Sequence, residues 1–365
     1  MKIFKKIIII IYVVIAAEIF LRVFHQMPML PRYIVATDYG IRGNQPNAEY
    51  KHKTADYTID FKINSKGVRS NHEIPYEKSN KKRILLLGDS FGMGYGVALE
   101  GTFLETAGRN LSEKGIENEV INLSVSGHGN AEELVALKSE GLKYKPDLVV
   151  LGFHDSDYED NVRSNLFKFE NDSLIPDSKT YLPAVKLREK LFSYPLYRWL
   201  AGNCNLYNWL RDYAGRISKK ILAAARNDGQ EENVKTEVTT TSINENSDQL
   251  VENTGIETNQ EKYEDKLTVA ILKEINQVCK DNGAEFVIIE IPRKIRQDLF
   301  LSPVDDYVRN NIKGLNFVSP LNVLYENDDK MLYWEREQGH FTPLGYKLVG
   351  NVLSDYILKN NLLHE

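Results

Sequence analysis

From Lys82 onward the chain alternates short apolar runs with amphipathic segments, and that alternation leaves few folds open. Ile84–Leu87, Glu119–Leu123, Asp147–Phe153, Glu285–Ile291 and Leu315–Val318 read as strands. Phe103–Lys114, Ala131–Leu142, Lys266–Asp281 and Leu344–Lys359 read as helices, with breaks at Gly115 and Asn282-Gly283. The third strand is apolar throughout, and strands apolar on both faces belong to parallel sheets covered by helices on each side. The expected fold class is therefore α/β, a three-layer α/β/α sandwich around a parallel sheet of about five strands.

The first 24 residues stand apart. Met1 to Lys6 is basic, and Ile7 to Ala17 is uninterrupted apolar sequence before Glu18. So short an apolar run fits a secretory signal, with Val14-Ile15-Ala16 as a cleavage site. Alternatively Ile3 to Phe24 is one helix, with Glu18 and Arg22 four residues apart near the membrane interface. The uncleaved transmembrane anchor is the favoured reading. Either way the lysines place the N-terminus in the cytoplasm and the body of the protein on the extracytoplasmic side.

Residues 25–80 are polar and irregular, with a half-exposed strand pattern at Tyr57–Ile63 and a turn at Asn64-Ser65-Lys66-Gly67. They read as a β-containing lead-in to a main domain at 81–365. Within that domain, 182–225 is helical in character and rich in aromatics, for which ordinary helix packing is the simpler reading. Residues 227–260 are rich in Asn, Thr, Glu, Gln and Ser, and read as a disordered acidic loop. The net charge of -5, with no basic stripe, argues against a nucleic-acid partner. Cys204 and Cys279 are too few for a disulfide scaffold and lack zinc-ligand spacing.

The strand at Ile84–Leu87 stops at Gly88-Asp89-Ser90-Phe91. A serine at the end of a first parallel strand sits where α/β folds place their chemistry. It is a weak nucleophile unless a base reaches it. The competing reading is a strand-to-helix turn in which Asp89 or Ser90 caps the helix. Among the seven histidines, His128 and His154 each follow a strand. His340 stands just ahead of the last helix, where a loop can lie over the strand ends.

Taken together, Gly88-Asp89-Ser90-Phe91, Gly127 after the second strand, Asp157 after the third and His340 before the last helix resemble the SGNH/GDSL hydrolase superfamily. Asn64-Ser65-Lys66-Gly67-Val68-Arg69 resembles a turn found in its membrane-anchored bacterial members. The resemblance spans roughly 82–358 and implies a flavodoxin-like fold. It implies Ser90 as nucleophile, His340 as base, and the Ser90 and Gly127 amides as oxyanion donors, with Asp89 and Asp157 at the substrate edge. The superfamily's third donor is an asparagine; counting back from Asp160-Asn161, Ser156 stands in its place. The acid partner falls at Glu337, with Gln338 where an Asp also occurs. No metal or organic cofactor is implied.

The resulting expectation is an exported serine esterase or acyl (acetyl) transferase, acting on an ester-bearing substrate such as an acylated envelope polysaccharide. The rival from the changes at Ser156 and Gln338 is a catalytically silent binding protein in an envelope assembly; protein partners are unknown. An α/β-hydrolase elbow also fits Gly88-Asp89-Ser90-Phe91-Gly92, but too little chain precedes it. Gly92-Met93-Gly94-Tyr95-Gly96 is not a nucleotide fingerprint. Asp89, His128, His154 and Asp155 lack metal-ligand spacing.

Overall fold

The computed structural model describes residues 2–228, 262–296, 299–336 and 339–363. Most of the expected acidic loop at 227–260 lies outside the described residues, as do Glu337 and Gln338.

One parallel sheet of five strands organises the protein. Its strands are β1 (Lys82–Leu87), β2 (Asn118–Asn122), β3 (Leu148–Phe153), β4 (Glu285–Glu290) and β5 (Asn316–Val318), in the spatial order β2-β1-β3-β4-β5. In register, Ile84 faces Val120, Leu86 faces Val150, and Ile288 lies between Leu151 and Phe317. This is the flavodoxin-like order, and it reverses direction between β1 and β3. Ligands in such sheets bind in the crevice outside the strand ends at that reversal.

Strand alternation sorts the core into two layers. Leu85, Leu87, Val149, Leu151 and Ile288 pack with α3 (Asn130–Ser139) and α5 (Tyr263–Asp281). Ile84, Leu86, Val150, Val287 and Ile289 pack with α2 (Phe103–Glu113) and α6 (Pro343–Lys359). Each strand is thus apolar on both faces because both faces are covered. A shorter helix, α4 (Asp157–Ser164), follows β3.

The lead-in shares this core. Ile41, Val68 and Ile74 are fully buried in the layer with α3 and α5. A hairpin of Glu49–Lys53 and Thr58–Lys62 pairs Tyr50 with Phe61 and lays Phe61 against Tyr95. Arg83, 1 % exposed at the start of β1, ties lead-in to sheet. Its guanidinium donates to the carbonyls of Pro75, Tyr76, Glu77 and Tyr144 and pairs with Glu119 at 2.8 Å.

α1 (Lys2–Phe24) projects from the body. Its Phe4–Phe24 stretch has a mean hydropathy of 2.7 and an 18-residue window only 6 % buried, so it is not a core helix and could serve as a membrane anchor or a signal sequence. At its far end Glu18 accepts hydrogen bonds from the Asn205 and Leu206 amides, capping a helix that is distant in sequence. That helix, Asn205–Asp228, belongs with Val185–Ser193 and Pro195–Asn203 in the inserted segment. Some of the aromatics there pack helix on helix, Phe192 against Tyr197 at 5.1 Å and Tyr197 against Tyr207 at 5.8 Å. Trp199, Trp209, Tyr194 and Tyr213 stay exposed, because these helices meet α1 and one another rather than the sheet.

Arg83→Met removes every donor that holds residues 75–77 to the sheet and leaves Glu119 without its partner. It should lower stability by about 3–5 kcal/mol, read from the urea midpoint of the full chain.

Candidate active site

β1 ends in a sharp turn, and Ser90 opens a single turn of helix, Ser90–Met93. Asp89 caps that helix, its carboxylate accepting from the Phe91 amide at 2.8 Å. Capping and a reactive serine were rival readings of this stretch; here Asp89 is the cap, which leaves the Ser90 side chain uncommitted to it. His340 Nε2 lies 2.8 Å from Ser90 Oγ, across 250 positions of sequence. An imidazole at that distance can take the hydroxyl proton during attack on a carbonyl.

His340 is held by its surroundings. Its ring packs against Phe91 and Tyr95, with centroids 4.6 and 5.3 Å away. Its carbonyl accepts from the Trp334 amide at 2.9 Å. Two residues on, Thr342 caps α6 through the Gly345 amide, with Pro343 in the first turn. Tyr346 in α6 donates its hydroxyl to the carbonyls of Phe91 and Tyr95, so the helix behind the histidine is pinned to the turn that carries the serine.

Gly127 lies across the pocket from Ser90, after β2. Its φ of +83° is a backbone region that L side chains rarely adopt, which accounts for glycine here. Arg42 donates to its carbonyl and pairs with both oxygens of Glu132 at 2.9 and 2.8 Å. His128 donates through Nε2 to the Arg42 carbonyl at 2.9 Å, and burial pushes its pKa below the ordinary value. The lead-in therefore braces the loop after β2. It braces the serine turn as well: Arg69, fully buried, donates to the carbonyls of Met93, Gly94 and Val97 and stacks over Phe61 at 4.0 Å. The turn ahead of Arg69 is shaped by Asn64, whose side-chain oxygen accepts from the Lys66 and Val68 amides. Gly94, at φ +75°, lies where a side chain would strike the Arg69 guanidinium, so the glycine-rich stretch answers to packing.

The pocket around Ser90 has a volume of about 260 Å³. Ser156 reaches it, but with its hydroxyl 3.0 Å from His154 Nδ1 and its amide donating to the same nitrogen at 3.3 Å. His154 lines the pocket too, stacked on Phe91 at 4.9 Å. The sequence had placed His154 after a strand, near the catalytic edge, and weighed it for a metal set, but gave it no part in the serine site; its signal was that position, directly at the end of β3. Asp155 Oδ1 lies 3.2 Å from His154 Nδ1, and Arg293 pairs with the other oxygen at 3.3 Å. Asp157, expected at the substrate edge, is instead 1 % exposed beneath the pocket. Its Oδ2 accepts from the His154 amide and from Asn130, both at 3.0 Å, so it orders the loop rather than facing a ligand. Glu337 lies outside the described residues. Among the described residues, no group of three or more His, Cys, Asp or Glu is placed to hold a metal ion.

Asp157 and Glu133 share Asn130 as a donor, and each keeps one oxygen without a hydrogen-bond partner. Burial, followed by the charges of Asp89 and Glu132, pushes Glu133 up to about 8; burial and Glu133 raise Asp157 as well. The unfolded chain releases the Glu133 proton near the ordinary 4.5, whereas the folded chain holds it to about 8. Between those values the unfolded state binds fewer protons, so stability falls as pH rises. The melting temperature should drop across this window, and Glu133→Gln should flatten the slope; an unchanged slope would clear Glu133 as its source.

No family model and no curated protein matches the chain. Among solved structures it is similar to a lipase/acylhydrolase from Enterococcus faecalis, at 14 % identity and a TM-score of 0.37, covering 77 % of this chain and 97 % of that one. It is similar to a GDSL-like lipase from Bacteroides thetaiotaomicron, at 11 % and 0.35, covering 79 % and 93 %. A third is a two-domain esterase active on acetylated mannans, at 10 % and 0.38, covering 78 % of this chain and 50 % of that one.

Proposed function

We propose that the protein is a serine esterase or acyltransferase that works through an acyl-enzyme. The observation that carries this is the 2.8 Å contact between Ser90 Oγ and His340 Nε2, in a pocket at the reversal point of the sheet. The serine after β1, the glycine after β2 and the histidine before the last helix follow the SGNH pattern that the sequence resembles.

In the reaction, Ser90 Oγ attacks the ester carbonyl as its proton passes to His340. The Ser90 and Gly127 amides receive the oxyanion. The tetrahedral adduct expels the alcohol, which takes the proton from His340, and leaves the acyl group on Ser90. Water or a second hydroxyl, deprotonated by His340, then attacks the acyl carbon and frees the serine. The same machinery serves either acceptor, so hydrolysis and transfer are both open to it. At about 260 Å³, below the usual range for ligand pockets, the space beside Ser90 suits a short acyl group.

His154 takes the place of the missing asparagine. Nδ1 is turned to the Ser156 amide and hydroxyl and to Asp155 Oδ1, so Nε2 is the ring nitrogen that would donate to the oxyanion. Stacking on Phe91 fixes that ring in the pocket. Ser156 and Asp155 then hold the ring through Nδ1, and the shorter Ser156 side chain no longer has to reach the oxyanion.

A fluorophosphonate probe should label the full-length protein, and Ser90→Ala or His340→Ala should abolish labelling, whereas Ser126→Ala should not. A folded wild-type protein that fails to label would sink the enzyme reading in favour of a silent scaffold. His154→Ala should lower the turnover of a 4-nitrophenyl ester about 10²–10³-fold with little change in KM. An unchanged kcat would remove His154 from the oxyanion site.

For location, we infer that α1 is retained as an anchor, with the body outside the cytoplasm. The basic Lys2, Lys5 and Lys6 ahead of the apolar stretch support this orientation. Mass spectrometry of the membrane-bound protein should recover the N-terminal peptide; a chain beginning after Ala16 or Ala17 would mean cleavage instead.

A further inference from the structure

A second, larger groove of about 910 Å³ runs beside the serine pocket. It starts where α1 ends, at Arg22 to Gln26, and is walled by the inserted helices. Five arginines line it: Arg22, Arg32, Arg188, Arg211 and Arg336. Asp212 is the one acidic side chain among its lining residues. Arg32 also lines the pocket that holds Ser90 and His340, so the two spaces share a wall. Arg293 and Lys294 add two more cations on the far side of that pocket.

In a chain of net charge -5, such clustering runs against the average. Arg22, exposed at the mouth of the groove, pairs with Glu18 at 2.7 Å. Arg188 is half-buried, and burial together with the like charges of Arg32 and Arg42 pushes its pKa below the ordinary value. Holding several guanidinium groups together costs energy that an anion in the groove would offset. Arginine rather than lysine dominates, and its planar fork suits carboxylate and phosphate groups.

We propose that this groove binds a polyanionic glycan, carrying carboxylate or phosphate groups along its chain, and presents an ester of that chain to Ser90. The proposal rests on the esterase or acyltransferase reading for the chemistry at Ser90 but not for the binding itself. The groove is several times larger than the serine pocket, as an extended chain with a small ester substituent requires. Its arginines come from five separate places in the fold, namely α1, the chain after it, two inserted helices and the loop ahead of α6, and several cations together suit a ligand with more than one charge. A long acyl tail would not fit the space of about 260 Å³ beside Ser90, which leaves the larger groove to the rest of the ligand.

The test is direct binding to the full-length protein in phosphatidylcholine nanodiscs, by calorimetry and without turnover. The probes are oligogalacturonate for carboxylate, a phosphomannan oligosaccharide for phosphate, and a neutral malto-oligosaccharide. At least one charged glycan should bind about tenfold or more tightly than the neutral one, and its affinity should fall with salt. Arg188→Gln and Arg336→Gln should each weaken that binding about tenfold with melting unchanged, and Arg188→Lys should restore part of it. The proposal fails if neutral and charged glycans bind alike. It fails if the charged glycan binds but neither Gln variant weakens it. It fails if short-chain phosphatidylglycerol binds and neither glycan does, which would make the groove a lipid site. Fluorophosphonate labelling of Ser90 is read separately, so loss of the esterase reading and loss of the glycan site give different results.

Discussion

Arg42 donates to the Gly127 carbonyl and holds both oxygens of Glu132, which is itself 1 % exposed. Removing either partner would strand a buried charge, so the loop after β2 has little freedom to leave its place. Arg69 does the equivalent on the other side, filling the carbonyls of the turn after Ser90. Both arginines come from the lead-in, ahead of the sheet. The two loops that carry Ser90 and Gly127 are thus held in place by the lead-in. This explains why a stretch that looks irregular is packed into the same core as the sheet.

The sheet supplies the other constraint. Because β1 and β3 are neighbours while β2 lies outside β1, the loops after all three strands converge at one edge. Ser90, Gly127 and His154 come from those three loops, and the loop ahead of α6 brings His340 over them. Phe91 makes ring contacts with both His154 and His340. One aromatic side chain, next to the serine in sequence, therefore packs against both histidines of the pocket. The carboxyl pair beneath, Glu133 and Asp157, orders the loop after β3 from below through Asn130.

Much of this edge was legible in advance. The strands were placed within a residue or two, because a buried parallel strand writes its burial on both faces into consecutive apolar residues. Ser90 and Gly127 were legible because a strand end and a glycine are local signals. His340 was legible as a position in a pattern. The expectation for Asp157 at the substrate edge was corrected: its partners, the His154 amide and Asn130, lie outside any local window and turn it under the pocket. His154 went undervalued, since a histidine after a strand carries no mark of the ring it stacks on. Helix packing was expected of the inserted aromatics, but aromatic content alone does not say which of them meet a neighbouring helix, as Phe192, Tyr197 and Tyr207 do, and which stay exposed, as Trp199 does.

By itself, the sequence determined the apolar N-terminal helix, the strand-and-helix alternation, and the serine, glycine and histidine that the site uses. These follow from hydrophobic period and backbone chemistry, which act over a few neighbouring residues. Only the tertiary structure decided that Arg42 and Arg69 brace the two loops and that His154 lines the pocket with its ring stacked on Phe91. It also decided that arginines scattered from Arg22 to Arg336 share one groove. Those facts depend on hydrogen bonds and charges brought together across hundreds of residues, and no local pattern encodes which distant partners will meet.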